Sequence, residues 1–180
     1  MTTLEGEGIL EGVEYHPSPN CNDRPHNIEI DLIVIHSISL PPKNYNTELI
    51  KDFFLNKMDP GGNDYLESIN TLKVSSHFLI TRKGLLIQFV PLHKRAWHAG
   101  ISKFEGRDNC NDFSIGIELE GCDDEEFESN QYKSLLELLK FLSKKYKIPK
   151  RNIVGHSDIA SGRKTDPGSY FNWDLLQSLL

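Results

Sequence analysis

The sequence predicts a single α/β domain spanning residues 1–180, with a central mixed β-sheet flanked by α-helices. Three observations carry that reading. Short β-branched runs alternate with segments of helical period, and no repeat or linker divides them. One pair of runs is spaced as a tight hairpin. A chain of 180 residues is also long enough to bury a substantial core without metal or disulfide staples.

Taken in order, residues 1–27 carry Pro17, Pro19 and Pro25 and read as an irregular lead-in, since proline denies them a helix. The run Ile28–Ile35 is almost continuously apolar at its end, as a central strand is, and terminates at His36 before Pro41-Pro42. From Thr47, a plausible N-cap, Leu49, Ile50, Phe53, Phe54 and Met58 fall on one helical face, which Pro60-Gly61-Gly62 ends ahead of a loop. VSSHFLITRKGLLIQFV then reads as a hairpin turning at Lys83-Gly84, where glycine tolerates positive φ.

The stretch from Pro91 to Asn111 is long, irregular and rich in His, Arg and Trp, a pattern more common in functional loops than in idle ones. FSIGIELEG sets Ile115, Ile117 and Leu119 against Gly116, Glu118 and Glu120, a strand with one apolar and one polar face. Tyr132, Leu135, Leu136, Leu139, Leu142 and Tyr146 recur at helical spacing, with Pro149 just beyond. Asn152–Gly155 reads as a short strand and NWDLLQSLL as a terminal amphipathic helix.

Composition excludes several classes. A net charge of −6 opposes nucleic-acid binding, which calls for a basic face. No segment approaches membrane-spanning length, and MTTLEGEGILEG lacks the basic and apolar regions of a secretory signal. Cys21, Cys110 and Cys122 form no C-x-x-C pair, so a reduced, cytoplasmic protein is expected rather than a zinc finger or disulfide scaffold.

The densest polar stretch is GHSDIASGRKTDPG, Gly155–Gly168, which holds His156, Asp158, Arg163, Lys164 and Asp166. Charged side chains at this density make poor core, so a loop carrying chemistry is expected. His36, His156 and Asp166 together would suit a catalytic zinc that keeps one open position. Taken singly, each histidine is as readily a hydrogen-bonded structural residue, and no H-E-x-x-H spacing supports the metal.

Glu118 reads either as solvent-facing decoration or as a general base, with Glu120 its competitor on the same face. Lys164 is an ordinary surface lysine or the cation facing an oxyanion. Arg163 and Arg107 could grip substrate carboxylates or be plain surface charges. Trp97-His98 offers a flat face for a sugar ring, although Trp97 alone would more readily be core. His77 reads as structural. A cysteine nucleophile is the rival chemistry, but the acidic run around Cys122 disfavours a thiolate.

DLIVIHSISLPP, KRAWHAG, CNDFSIGIELEG and GHSDIASGRKTDPG occur here in an order that closely resembles the zinc-dependent N-acetylmuramoyl-L-alanine amidases of the AmpD type. The resemblance runs from about Tyr15 to the C-terminus. It implies the amidase and peptidoglycan-recognition fold, a Zn2+ cofactor, a small-molecule muropeptide substrate and a monomer working in cytoplasmic peptidoglycan recycling. By the same resemblance His36, His156 and Asp166 fall on the zinc ligands, Glu118 rather than Glu120 on the proton acceptor, and Lys164 on the oxyanion stabiliser. Trp97, Arg163 and Arg107 fall in substrate-contacting regions, and nothing places Asp158 on the metal. Ser37 stands where the family often has Asn, and Asn109 where a basic residue is common. The implied reaction is hydrolysis of the lactyl–L-alanine amide of (1,6-anhydro-)N-acetylmuramoyl peptides. The alternatives are a non-catalytic muropeptide-binding module and a zinc peptidase cutting within the stem peptide.

Overall fold

The computed structural model describes residues 8–180; residues 1–7 of the lead-in lie outside it. Its strands are β1 Glu14–Tyr15, β2 Cys21–Asp23, β3 Leu32–Ile38, β4 Phe78–Ile80, β5 Leu86–Gln88, β6 Lys94–Ala96, β7 Lys103–Phe104, β8 Arg107–Asp108, β9 Ser114–Glu120 and β10 Ile153–Gly155. The helices are α1 Thr47–Phe54, α2 Asp64–Ile69, α3 Ser129–Tyr146, α4 His156–Ile159 and α5 Trp173–Leu179. Six strands form one mixed sheet in the order β1-β5-β4-β9-β3-β10, while β2–β6 and β7–β8 are separate two-stranded ribbons.

β9, β3 and β10 run parallel, and so do β4 and β9; the predicted hairpin β4–β5 is antiparallel. Gly84 turns that hairpin with φ +82, its N–H donating to Thr81 O at 2.8 Å. Strand alternation then sorts the side chains into two layers. Ile33, Ile35, Ile115, Ile117 and Leu119 meet Leu135, Leu138, Leu139 and Leu142 of α3 on one face. Leu32 and Val34 face the other way, toward Ala99, Cys110, Phe113 and Ile159, while Leu79 meets Ile50, Phe53 and Phe54 of α1. Each such fully buried aliphatic or aromatic side chain contributes about 1.5–3 kcal/mol.

Several local expectations change. The lead-in is not wholly irregular: β1 pairs parallel with β5, and β2 pairs antiparallel with β6. Proline excludes helix there, but short edge strands are decided by the backbone they meet. β3 begins at Leu32, not Ile28, and runs through His36 to Ile38, because β9 continues to pair with it as far as Glu120. The cap of α1 is Asn46, whose Oδ1 accepts from the Leu49 N–H at 3.2 Å. The expected loop after Gly62 instead contains α2. In α3, Leu138 is buried and Leu136 only half so.

β9 also lacks a solvated face, since Glu120 is 3% exposed. Its Oε2 accepts from the Arg82 N–H at 2.9 Å and its Oε1 from the Thr47 hydroxyl at 3.0 Å. Glu120→Ala strands both donors and is expected to cost about 1–3 kcal/mol in urea unfolding while leaving hydrolysis intact. Loss of activity without loss of stability would put Glu120 in the chemistry instead.

Candidate metal-centred active site

Parallel strands deliver the site. Register sets His36 of β3 directly beside Glu118 of β9, and alternation puts both on the face opposite α3. β10 pairs Gly155 with Ile35, so the chain leaves the sheet next to His36 and the following residue is His156. All three therefore gather at the C-terminal ends of parallel strands, where loops of an α/β sheet form a crevice.

The Gly155–Gly168 stretch is not a plain loop. Its first turn is helix α4, begun where Asp158 Oδ2 accepts from the Gly155 N–H at 2.7 Å. Asp158 thus caps the turn. The Ser157 N–H then donates to Asp166 O at 3.0 Å, which folds the loop back and returns Asp166 to the histidines.

His36 Nδ1 lies 3.0 Å from His156 Nδ1 and 3.0 Å from Asp166 Oδ2, and His156 Nδ1 lies 3.1 Å from that oxygen. Tetrahedral zinc with ligand bonds of ~2.0–2.1 Å spaces its ligand atoms at roughly 3.3 Å, within a few tenths of an ångström of these contacts. Two imidazole nitrogens and a carboxylate oxygen facing one point are all acceptors unless protonated, and a cation satisfies the three at once. The residues therefore fit a metal ion, and among the described residues this is the group so arranged.

Electrostatics agree with that donor set. Burial, against the pull of Asp166, pushes His36 down to about 4, so its ring is neutral near pH 7. Burial likewise drives His77 and His98 well below an ordinary histidine. Such groups bind fewer protons folded than unfolded below pH 6.5, so stability is lost as pH falls. For metal-free protein the expected loss between pH 6.5 and about 4 is about 3 kcal/mol from His36 alone. Urea unfolding at pH 7, 5.5 and 4.5 checks it, and a flat profile would contradict it.

Glu118 differs sharply from Glu120. Its Oε2 is shielded from solvent and has no hydrogen-bond partner. Burial, reinforced by the charge of Asp166, raises its pKa well above the usual carboxylate range, with Lys164 pulling the other way. Glu118, Lys164 and the three donor residues share a cleft of about 500 Å³ with an apolar wall that includes Phe53, Tyr65 and Leu72.

Trp97, Arg163 and Arg107 lie elsewhere. Trp97 is half-buried; its indole N–H donates to Asn22 Oδ1 at 2.8 Å, and it does not line the cleft. Arg163 donates to Ala99 O at 2.6 Å and Ile101 O at 2.7 Å, which occupies its guanidinium with backbone. Arg107 pairs with Asp31 at 2.9 Å and lies over the Phe113 ring at 4.0 Å, away from the cleft. Periodicity cannot tell arginines with such partners from free ones. His98, grouped with Trp97 as a sugar platform, instead lies buried with Nδ1 2.9 Å from His36 Nε2. No spacing signal in the sequence marks that contact.

Residues 20–169 match the family model described as N-acetylmuramoyl-L-alanine amidase. The chain belongs to the N-acetylmuramoyl-L-alanine amidase family. It is 47% identical over 169 residues to the 1,6-anhydro-N-acetylmuramyl-L-alanine amidase AmpD of Haemophilus influenzae, covering 93% of this chain and 92% of that one. The solved structure of a selenomethionine AmpD derivative matches it with a TM-score of 0.95 and 42% identity, over 100% of this chain and 99% of the other. The amidase AmiD from E. coli, solved with anhydro-N-acetylmuramic acid-L-Ala-D-gamma-Glu-L-Lys, matches at 32% identity and a TM-score of 0.62, over 87% of this chain and 60% of that one. The expected family and the mixed-sheet α/β fold are thereby both established for this amidase.

Proposed function

We propose that this amidase hydrolyses the amide between the lactyl group of 1,6-anhydro-N-acetylmuramic acid and the L-alanine of the stem peptide, with zinc held by His36, His156 and Asp166. One observation carries the reading: three convergent donor atoms share a cleft with a half-buried carboxyl whose shielded Oε2 has no hydrogen-bond partner. The names of its relatives supply the substrate class. When bound, a zinc ion supplies Lewis acidity, polarising an amide carbonyl and acidifying water.

The chain's own residues do the rest. Glu118 takes a proton from the attacking water and hands it to the departing L-alanine amine; a carboxyl raised well above its usual range suits transfer in both directions. Lys164 lines the same cleft and supplies the cation for the oxygen on which negative charge develops. The apolar wall around Phe53, Tyr65 and Leu72 excludes water and leaves room for a ligand larger than an amino acid. The three free thiols favour a reducing compartment, as cytoplasmic recycling requires.

The deciding experiment digests an anhydro-muropeptide beside an intact murein sacculus, with zinc present and absent, and weighs the products. Free peptide beginning with L-alanine, formed only with zinc and preferentially from the soluble substrate, is the expected result. Tight binding with no product would favour a binding module. Fragments cut inside the peptide would favour a peptidase.

A further inference from the structure

We propose that His98 is a positioning residue for the metal centre: through a directed hydrogen-bond chain anchored on Ser114, it fixes His36 as the tautomer whose Nδ1 lone pair faces the ion. This rests on the zinc reading above and adds to it the residue that orients a ligand.

The direction of the chain follows from counting hydrogens. Ser114 has one hydroxyl hydrogen, and its Oγ lies 2.6 Å from Cys110 O, which can only accept. The same Oγ lies 3.1 Å from His98 Nε2, so that nitrogen must be the donor and His98 carries its proton there. His98 Nδ1 is left with a lone pair, and 2.9 Å away stands His36 Nε2, which must therefore bear its own hydrogen. His36 Nδ1 is then unprotonated and directed at His156 Nδ1 and Asp166 Oδ2.

The neighbouring residue performs the same service for the second imidazole. His156 Nε2 lies 3.1 Å from Ala99 O, an obligate acceptor, so His156 is also an Nε2–H tautomer with Nδ1 free. Arg163 Nη2 stands 3.4 Å from that nitrogen, but its two hydrogens go to the carbonyls of Ala99 and Ile101. Two consecutive residues thus address two metal-facing histidines. Their backbone is held for the purpose: Asn111 Oδ1 accepts from the N–H of His98 at 3.1 Å and of Ala99 at 2.8 Å.

The room for this arrangement is made in β9. A Cβ on Gly116 would stand 2.5 Å from His98 Cγ and 2.7 Å from its Nδ1, so the absence of a side chain there lets the ring lie flat against the strand between His36 and Ser114. His98 is 9% exposed, and the His36 and His98 rings meet edge to face at 5.0 Å. Partners of metal-bound histidine in general fix tautomer and ring orientation, and their loss costs about 10- to 100-fold in metal affinity.

The test has two arms. Nitrogen-15 NMR of the metal-free wild type should show His98 protonated at Nε2 and bare at Nδ1; an Nδ1–H His98 would overturn the proposal whatever any variant does. Competition with a chelator should then show His98→Phe, which keeps bulk but removes the acceptor, binding Zn2+ about 10- to 100-fold more weakly. His98→Asn, which can still accept from His36 and donate to Ser114, should recover most of that affinity. Equal affinity of wild type and His98→Phe would refute the positioning role while leaving the zinc reading in place. A wild type that binds no Zn2+ would overturn both. A merely structural role would weaken His98→Phe and His98→Asn alike, and that result also counts against the proposal.

Discussion

Glu118→Gln is expected to lower turnover of an anhydro-muramoyl peptide by about 10²- to 10⁴-fold, the range that a positioned general acid–base contributes. The substitution is nearly isosteric, and the Oε2 position makes no hydrogen bond in the folded chain, so little structure depends on it. It removes a group that can both accept and return a proton. Folding, zinc content and muropeptide affinity should therefore stay near wild type, separating this variant from one that unfolds. Peptide release followed by mass spectrometry, alongside calorimetric binding, provides the check. Turnover above a tenth of wild type would remove Glu118 from the proton path. Because burial and Asp166 raise its pKa, removing the Asp166 charge should make Glu118 easier to ionise in metal-free protein.

Withdrawal of the metal is expected to have the other large effect. Dialysis against a strong chelator should reduce amidase activity to background, and added Zn2+ should restore it. His36→Ala should be inactive with or without zinc, because it removes the donor that lies 3.0 Å from both of the other two. Stability should follow occupancy: at an ion concentration of about 100 times the dissociation constant, binding to the folded state alone adds about 2.7 kcal/mol. Thermal unfolding of chelated and zinc-loaded protein measures that difference. Full activity after chelation, verified by elemental analysis, would refute the metal mechanism, and an unchanged melting temperature would refute the site.

Much of the architecture was legible before any coordinate. The long helix α3, the Gly84 hairpin and strands β3, β9 and β10 write their period or their turn chemistry locally. What went unread was written elsewhere in the chain. β1 and β2 exist because β5 and β6 offer free backbone edges. The start of β3 at Leu32 reflects how far β9 pairs with it, not the apolar run that begins at Ile28. Asn46 rather than Thr47 caps α1, and the Thr47 hydroxyl goes to Glu120, a partner 73 residues away.

The candidate site divides in the same manner. Motif order alone pointed to His36, Glu118, His156, Lys164 and Asp166, and the fold brings these five together in one cleft. Trp97, Arg163 and Arg107 carried equally suggestive chemistry, yet each finds a partner outside the cleft.

The sequence by itself determined the residue types, the strand and helix periods and the family, because those are properties of neighbours along the chain. Only the tertiary structure decided which of two glutamates stands free, that Arg163 is spent on carbonyls, and that His98 turns its ring to His36. Those outcomes depend on where a side chain's partner lies. Here the partners are 38 residues away for Glu120 and Arg82, 62 for His98 and His36, and 64 for Arg163 and Ala99. Hydrogen bonds are satisfied in space, by groups that no local pattern brings together.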